Sequence, residues 1–307
     1  MNRQIDFSCK HHILIKNPDG TYSPMDEPWH QATQIAPGTW QILSSGDYSY
    51  LFEGENEAVA IDTGYGAGNL REFLQTLTDK PVKNVINTHN HFDHTANNGY
   101  FEKAYMAHRA VPLATVPYAS FEGIDFIQDY ERVGIGEGFV YDLGGRTLEI
   151  FDIPDHTGDG IAMLDRKERL LVIGDELMPL PMGKPLKRIT IQTFYSYLEK
   201  LMSHRHEFDR LVCGCGVFDA AMLDDYYHCA KLIVEGDKGE PLGEGKRGGP
   251  PTMPPGPNGE LVYDRIMPHA GDGGAGKPPI PGNYYVKHYG SIKIVYDLDK
   301  TEDTLDM

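Results

Sequence analysis

Short apolar runs separated by polar turns dominate the pattern of residues 48–87. Residues 48–51, 58–61 and 82–87 have the length and composition of strands. Between the last two runs, residues 69–77 place large apolar side chains on one face at helical spacing, which predicts an amphipathic helix. By contrast, about the first 35 residues are polar and rich in turn formers.

The second half of the chain repeats this order after a less regular stretch. That stretch covers residues 101–138, of which 121–130 is predicted to be helical. Apolar runs of strand length then alternate with longer periodic segments, which predicts strands at 147–153, 161–164, 170–173 and 210–213, and helices at 192–202 and 220–235. Strands followed by a helix and another strand, twice over, predict an α/β (α+β) fold of two packed sheets with helices outside.

Glycine and proline dominate residues 236–282, a composition that does not easily form regular structure. The pattern becomes strand-like again at 284–289 and 292–296. We therefore expect a long excursion that is ordered against the body of the protein, near the site, and that closes with a terminal hairpin; the alternative is a flexible loop. On this basis residues 1–235 form one domain, and 236–307 pack on it as an extension.

Composition and charge limit the partners of this chain. It has 307 residues, with 28 Lys and Arg against 45 Asp and Glu, which gives a net charge of −17. Nucleic acid and anionic membranes require a basic surface, so neither is an expected partner. Four cysteines in a chain of this length are not a disulfide framework, and no apolar stretch has the length of a signal peptide or a membrane span. We therefore expect a cytoplasmic protein.

The segment His89-Asn90-His91-Phe92-Asp93-His94 places four potential metal ligands within six residues. In an extended backbone, residues two apart point to the same side, so His89 and His91 can converge on one ion. Asp93 and His94, where the strand ends, can reach a second ion beside it. Imidazole and carboxylate together suit zinc, iron or manganese.

Two further candidates follow predicted strands later in the chain. His156 lies just after the run that ends at residue 153, and Asp175 follows the run 170–173. Side chains at the ends of several strands can converge on one rim of a sheet. Asp175 can bridge two ions, because a carboxylate has two oxygens.

Together with the turn Asp62-Thr63-Gly64, these motifs occur in the order found in the metallo-β-lactamase-fold superfamily, which the chain resembles over about residues 36–235. The resemblance implies a four-layered αββα sandwich with metals at one edge. It also implies a supporting role for Asp62 near the site. The ligands that it implies are His89, His91 and His156 for the first metal, Asp93 and His94 for the second, and Asp175 as the bridge.

The chain departs from that family at one ligand. The family usually supplies a last histidine for the second metal within a Gly-His-Gly turn, and here the turn is Gly214-Cys215-Gly216. Three interpretations follow. In the first, Cys215 binds the second metal as a thiolate, which zinc accepts readily. In the second, the second site is weakened or empty, and in the third a histidine from elsewhere in the chain takes part. The candidates for that histidine are His204, His206, His228, His269 and His288.

Metal ions of this kind lower the pKa of a bound water and stabilise the oxyanion that forms on a substrate carbonyl. Asp93 can orient that water or carry a proton to the leaving group. With the resemblance, this predicts a hydrolase, most simply with two zinc ions, that cleaves an ester, thioester, lactone or amide bond of a small molecule. Two alternatives are an oxygen-using enzyme of the same fold with one iron, and a non-catalytic, metal-stabilised binding protein.

Overall fold

The computed structural model describes residues 4–44, 46–116, 121–179, 183–242, 254–266 and 282–305. Within these residues the strands, in chain order, are β1 (Ile13–Lys16), β2 (Tyr22–Pro24), β3 (Gln31–Ala36), β4 (Thr39–Leu43), β5 (Tyr48–Glu53), β6 (Ala58–Ile61), β7 (Val82–Ile86), β8 (Lys103–Ala107), β9 (Glu131–Ile135), β10 (Val140–Asp142), β11 (Thr147–Asp152), β12 (Ile161–Asp165), β13 (Leu170–Gly174), β14 (Lys184–Pro185), β15 (Arg210–Cys213), β16 (Gly216–Asp219), β17 (Glu240–Pro241), β18 (Leu261–Asp264), β19 (Tyr284–Tyr289) and β20 (Ile292–Asp297). The α-helices are α1 (Leu70–Gln75), α2 (Phe92–Thr95), α3 (Ile191–Ser203) and α4 (Ala221–Val234).

Two large sheets lie at the centre of the structure. One has seven strands in the order β3-β4-β5-β6-β7-β8-β9, antiparallel as far as β6 and parallel beyond it. The other has six strands in the order β10-β11-β12-β13-β15-β16. Their facing sides share one buried apolar cluster, in which Phe52 and Ile86 of the first sheet meet Ile150 and Val172 of the second. The sheets therefore pack face to face.

Helices cover the outer face of each sheet. Leu70 and Leu74 of α1 are buried with the outward side chains of the first sheet. Phe194 of α3 and Leu223 of α4 are buried with those of the second sheet. Helix α3 begins where Thr190 accepts a hydrogen bond from the backbone N–H of Thr193, the usual way to satisfy a free N–H at a helix start. The predicted four-layered αββα sandwich is confirmed.

One predicted helix, 121–130, is wrong. The backbone makes a turn at 121–123 and then runs irregularly to residue 129. Phe121 and Ile127 are nevertheless buried in an apolar cluster with Phe92. Apolar residues spaced three apart resemble a helical face, but Gly123 at φ +87° is in the left-handed region, where a helix does not continue.

Two smaller sheets join the chain termini to this sandwich. Strand β1 pairs in parallel with β18, with Ile13 opposite Leu261, and β2 completes that sheet. The hairpin β19–β20 pairs with β14 and β17, and Ile294 is buried in the cluster that contains α4. Residues 243–253 and 267–281 of the Gly/Pro-rich segment lie outside the described residues. Across the described ranges, every helix is too short or too polar to cross a bilayer.

Candidate metal centre

The histidine segment lies at the carboxyl end of β7, where the chain turns into α2. Residue His91 is still extended, at φ −64° and ψ 148°, and directly precedes the helix. His89 lies in the bend that follows β7 and His91 in extended backbone, whereas Asp93 and His94 project from the first turn of α2. The change of backbone conformation separates the four side chains into two neighbouring groups.

The first group contains three histidines. Ring nitrogens of His89, His91 and His156 all lie within 4.8 Å of one another. His91 Nδ1 and His156 Nε2 are 3.0 Å apart. The loop between β11 and β12, which carries His156, thus reaches the segment that follows β7.

The second group surrounds His94, which is completely buried. Its Nε2 atom lies 3.6 Å from Asp175 Oδ1 and 3.9 Å from Asp93 Oδ2. The other oxygen of Asp175, Oδ2, lies 3.7 Å from His156 Nε2. One carboxylate therefore faces both groups, which is the placement that a bridging ligand needs.

The chemistry of these residues fits a metal. Buried polar atoms in proteins almost always have a hydrogen-bond partner, so several that lack one at the same place require an explanation. Here the atoms without a partner are His89 Nε2, His94 Nε2, Asp93 Oδ1 and Asp175 Oδ1. Nitrogen and carboxylate donors at one buried point are the ligand set of zinc and related ions.

The electrostatics of the two groups differ. Burial lowers the pKa of His89 well below its usual value, and burial likewise lowers the pKa of His156, so both rings are held neutral, the form that binds a metal. Burial would also lower the pKa of His94, but the surrounding carboxylates, Asp175 foremost, raise it well above its usual value. The His94 group thus contains an excess of negative charge.

Asp62 orients His94. Its Oδ2 atom accepts hydrogen bonds from His94 Nδ1 at 2.8 Å and from Thr88 Oγ1 at 2.7 Å, and its Oδ1 accepts the backbone N–H of Thr88 at 2.8 Å. The bond to Nδ1 directs Nε2 towards the carboxylates. Asp62 adopts φ +55°, which is uncommon outside glycine and is found at functional positions.

A buried ion cluster that the sequence did not reveal supports His156. Lys184 Nζ lies 3.0 Å from Asp155 Oδ2 and 3.4 Å from Glu176 Oε2. Glu176 Oε2 accepts the backbone N–H of His156 at 2.8 Å. The cluster joins the loop that carries His156 to the end of β13, which carries Asp175. Asp155 directly precedes His156 and Glu176 directly follows Asp175, and these two acidic neighbours are the sequence signal that could have indicated the cluster.

Cys215 follows Gly214, whose backbone packs closely against Asp175 and His94, since a Cβ at Gly214 would clash with Asp175 Oδ1. It stands in the turn between β15 and β16, and its Sγ is 3.0 Å from Cys213 Sγ. Among the described residues, the sets whose ligand atoms gather within 4.8 Å contain no cysteine, and His204, His206, His228 and His288 are absent from them as well. His269 lies outside the described residues. The role of Cys215 as a ligand stays a prediction.

Sequence reasoning missed Asp47. Ligand atoms of Asp47, Asp93 and His94 all lie within 4.8 Å of one another, and the three side chains are buried. The predicted ligands follow the carboxyl ends of strands, whereas Asp47 directly precedes β5. Burial, followed by the neighbouring Asp93, raises the pKa of Asp47 well above its usual value.

Comparison with known proteins identifies similar chains. The family model described as "Metallo-beta-lactamase superfamily" matches residues 46–211. The chain is 27% identical over 185 residues to acyl-coenzyme A thioesterase MBLAC2 of Homo sapiens, covering 48% of this chain and 66% of that protein. It is 27% identical over 172 residues to hydroxyacylglutathione hydrolase of Pelagibacter ubique, covering 55% of this chain and 66% of that protein. The chain thus matches slightly under two thirds of the length of these relatives.

A solved structure supports the fold. The metallo-beta-lactamase family protein TTHA1429 from Thermus thermophilus superposes with a TM-score of 0.53 at 18% identity. The superposition covers 67% of this chain and 83% of that protein. At this identity the similarity concerns the arrangement of strands and helices alone.

Proposed function

We propose that this chain, which belongs to the metallo-beta-lactamase superfamily, is a metal-dependent hydrolase that cleaves a small-molecule thioester with two bound zinc ions. The observation that supports this most strongly is the convergence of buried nitrogen and oxygen atoms without hydrogen-bond partners at the ends of β7 and β13. Two relatives are named as an acyl-coenzyme A thioesterase and a hydroxyacylglutathione hydrolase. Their names favour a thioester substrate over an ester, a lactone or an amide.

In this proposal His89, His91 and His156 would hold one ion, Asp93 and His94 would hold a second, and Asp175 would contribute to both. When bound, such ions make a coordinated water acidic near neutral pH and polarise the substrate carbonyl. The protein's own contribution is orientation and proton transfer. Asp93 Oδ1, which has no hydrogen-bond partner, is placed to accept a proton and pass it to the departing thiolate.

One observation favours a second candidate. His89, His94 and Asp175 form a group of two histidines and one carboxylate. That composition is used by non-haem iron enzymes that react with oxygen. A mononuclear iron enzyme is therefore the alternative to a dinuclear hydrolase.

As part of the same proposal, the enzyme works in the cytoplasm on a small molecule. None of the described cysteines forms a disulfide, which suits a reducing compartment. They are Cys9, Cys213, Cys215 and Cys229.

The decisive experiment is elemental analysis of protein purified without a polyhistidine tag, combined with a thiol-release assay on acyl-coenzyme A and acyl-glutathione thioesters. Two zinc per chain with turnover would support the proposal. One iron with oxygen uptake would support the alternative, and bound metal without turnover across thioesters, esters and lactones would favour a binding protein. His91→Ala is the matched control, since its turnover must be lost if the site is responsible.

A further inference from the structure

The loop before β5 brings a carboxylate into the group around His94. Asp47 is only 2% exposed, and neither of its carboxylate oxygens has a hydrogen-bond partner. Its ligand atom lies within 4.8 Å of those of Asp93 and His94. A buried carboxylate without a donor is costly, so this arrangement indicates a missing positive partner.

Backbone hydrogen bonds on both sides fix the position of Asp47. The N–H of Tyr48 donates to the carbonyl of Gly214 at 2.9 Å, and the N–H of Gly46 donates to the carbonyl of Arg265 at 2.9 Å. The first bond places Asp47 beside the Gly214-Cys215 turn. This turn is where the resemblance places the last histidine of the second metal.

Arg265 holds this loop from the other side. Its guanidinium is buried, donates to the carbonyl of Ser44, and lies 4.1 Å from the centroid of the Trp29 ring. Its Nε donates to Asn17 Oδ1 at 2.6 Å. The side chain thus fixes the backbone that precedes Asp47 and leaves the carboxylate free to face His94.

Cys215 is less well placed than Asp47 for the same role. Its sulfur contacts Cys213 Sγ at 3.0 Å, and within the part of the chain that the structure describes no group of potential ligands includes it.

The number of buried carboxylates around His94 also favours a bound cation. Asp47, Asp93 and Asp175 place three buried carboxylates around the single ring of His94. Carboxylates that are buried together without a cation destabilise the fold strongly. A divalent ion held by these carboxylates and by the neutral ring of His94 would offset two of the three charges.

We propose that Asp47, and not Cys215, completes the second metal site in place of the family's last histidine. The inference rests on the proposed dinuclear function. The resulting ligands are three carboxylates and one imidazole, a harder set than one with a thiolate, and one that suits manganese as well as zinc.

The test compares wild type, Asp47→Asn and Cys215→Ser, each depleted with a chelator, reloaded with Zn²⁺ and dialysed before elemental analysis. Asparagine keeps the volume of the buried side chain but removes its charge. We expect two zinc per chain in wild type and in Cys215→Ser, and one in Asp47→Asn. Wild type loaded with Co²⁺ should show no thiolate charge-transfer band.

The inference would be overturned if Asp47→Asn still bound two zinc per chain. It would also be overturned if Cys215→Ser bound one zinc or if cobalt-loaded wild type showed a thiolate band. A thiolate band or a lost zinc in Cys215→Ser overturns the inference even where Asp47→Asn does not fold, and in that case Asp47→Ala, measured in the same way, tests the carboxylate. One zinc in wild type would refute this inference and leave a single-metal hydrolase intact. Absence of metal from wild type would refute the proposed function itself.

Discussion

Replacing Lys184 with methionine should destabilise the metal-free protein by about 3–5 kcal/mol, the usual cost of removing one partner from a buried ion pair. Lys184 is 3% exposed and lies between the carboxylates of Asp155 and Glu176, which are also buried. Methionine retains most of the volume but removes the charge. The variant therefore leaves two buried carboxylates near each other without a cation.

The same change should weaken metal binding at the three-histidine group. Glu176 accepts the backbone N–H of His156, and Asp155 Oδ1 accepts the backbone N–H of Lys187 at 2.8 Å. Repulsion between the two carboxylates would displace the loop that carries His156. Loss of such supporting contacts typically lowers metal affinity by about 10–100-fold.

The assay is thermal and denaturant unfolding of chelator-treated protein, followed by circular dichroism. In a chain of this size about 1 kcal/mol corresponds to roughly 2 °C, so the midpoint should fall by about 6–10 °C. Lys200→Met is the matched control. Lys200 pairs with Glu137, and the two side chains are 35% and 45% exposed, so its loss should cost below about 1 kcal/mol.

This reasoning would be refuted if Lys184→Met lowered the free energy of unfolding no more than Lys200→Met does. Such a result would show that the buried carboxylates do not require the cation. Adding Glu176→Gln to Lys184→Met should recover part of the loss, since the neutral amide removes one of the two charges. Additivity of the two changes would contradict the coupling between these side chains.

Three further outcomes are expected. His91→Ala should lose bound metal and activity together, and an unchanged metal content on elemental analysis would contradict its assignment. Asp62→Ala should weaken metal binding by about 10–100-fold in chelator competition, because His94 loses the acceptor for Nδ1, whereas Asp62→Asn should weaken it less. Burial lowers the pKa of His30 to about 4, below its usual value of 6.5. The unfolded chain then takes up the proton first, so up to about 3 kcal/mol of stability should be lost as the pH falls from about 6.5 to 4, and His30→Gln should remove that dependence in denaturant unfolding.

Local geometry explains how much of the site could be predicted from the sequence. His89, His91, Asp93 and His94 lie within six residues, so the bend after β7 and the first turn of α2 are enough to bring their side chains close together. The placement of His156 and Asp175 needed only the rule that ligands lie at strand ends on one rim.

Contacts between distant segments explain what the sequence did not reveal. Asp47 and Asp93 are 46 positions apart in the sequence, and Lys184 and Asp155 are 29 positions apart. At such separations no short sequence motif contains both members of a pair. Strand β1 is a different case, because its Ile13-Leu14-Ile15 run is apolar but is hidden in a stretch that is otherwise polar and rich in turn formers. The strand pairs with β18, far along the chain, with Ile13 opposite Leu261, and such tertiary pairing contributes strongly to whether a short run forms a strand.

A continuous set of contacts links the Gly/Pro-rich segment to the metal centre. Strand β18 pairs with β1, and Arg265, directly after β18, binds the backbone of Ser44 and Gly46. The next residue, Asp47, then faces His94. The sequence predicts that this segment is ordered against the body of the protein, and its described residues fix the loop that enters the site. A single buried guanidinium does so by donating to a backbone carbonyl and to a side-chain amide oxygen.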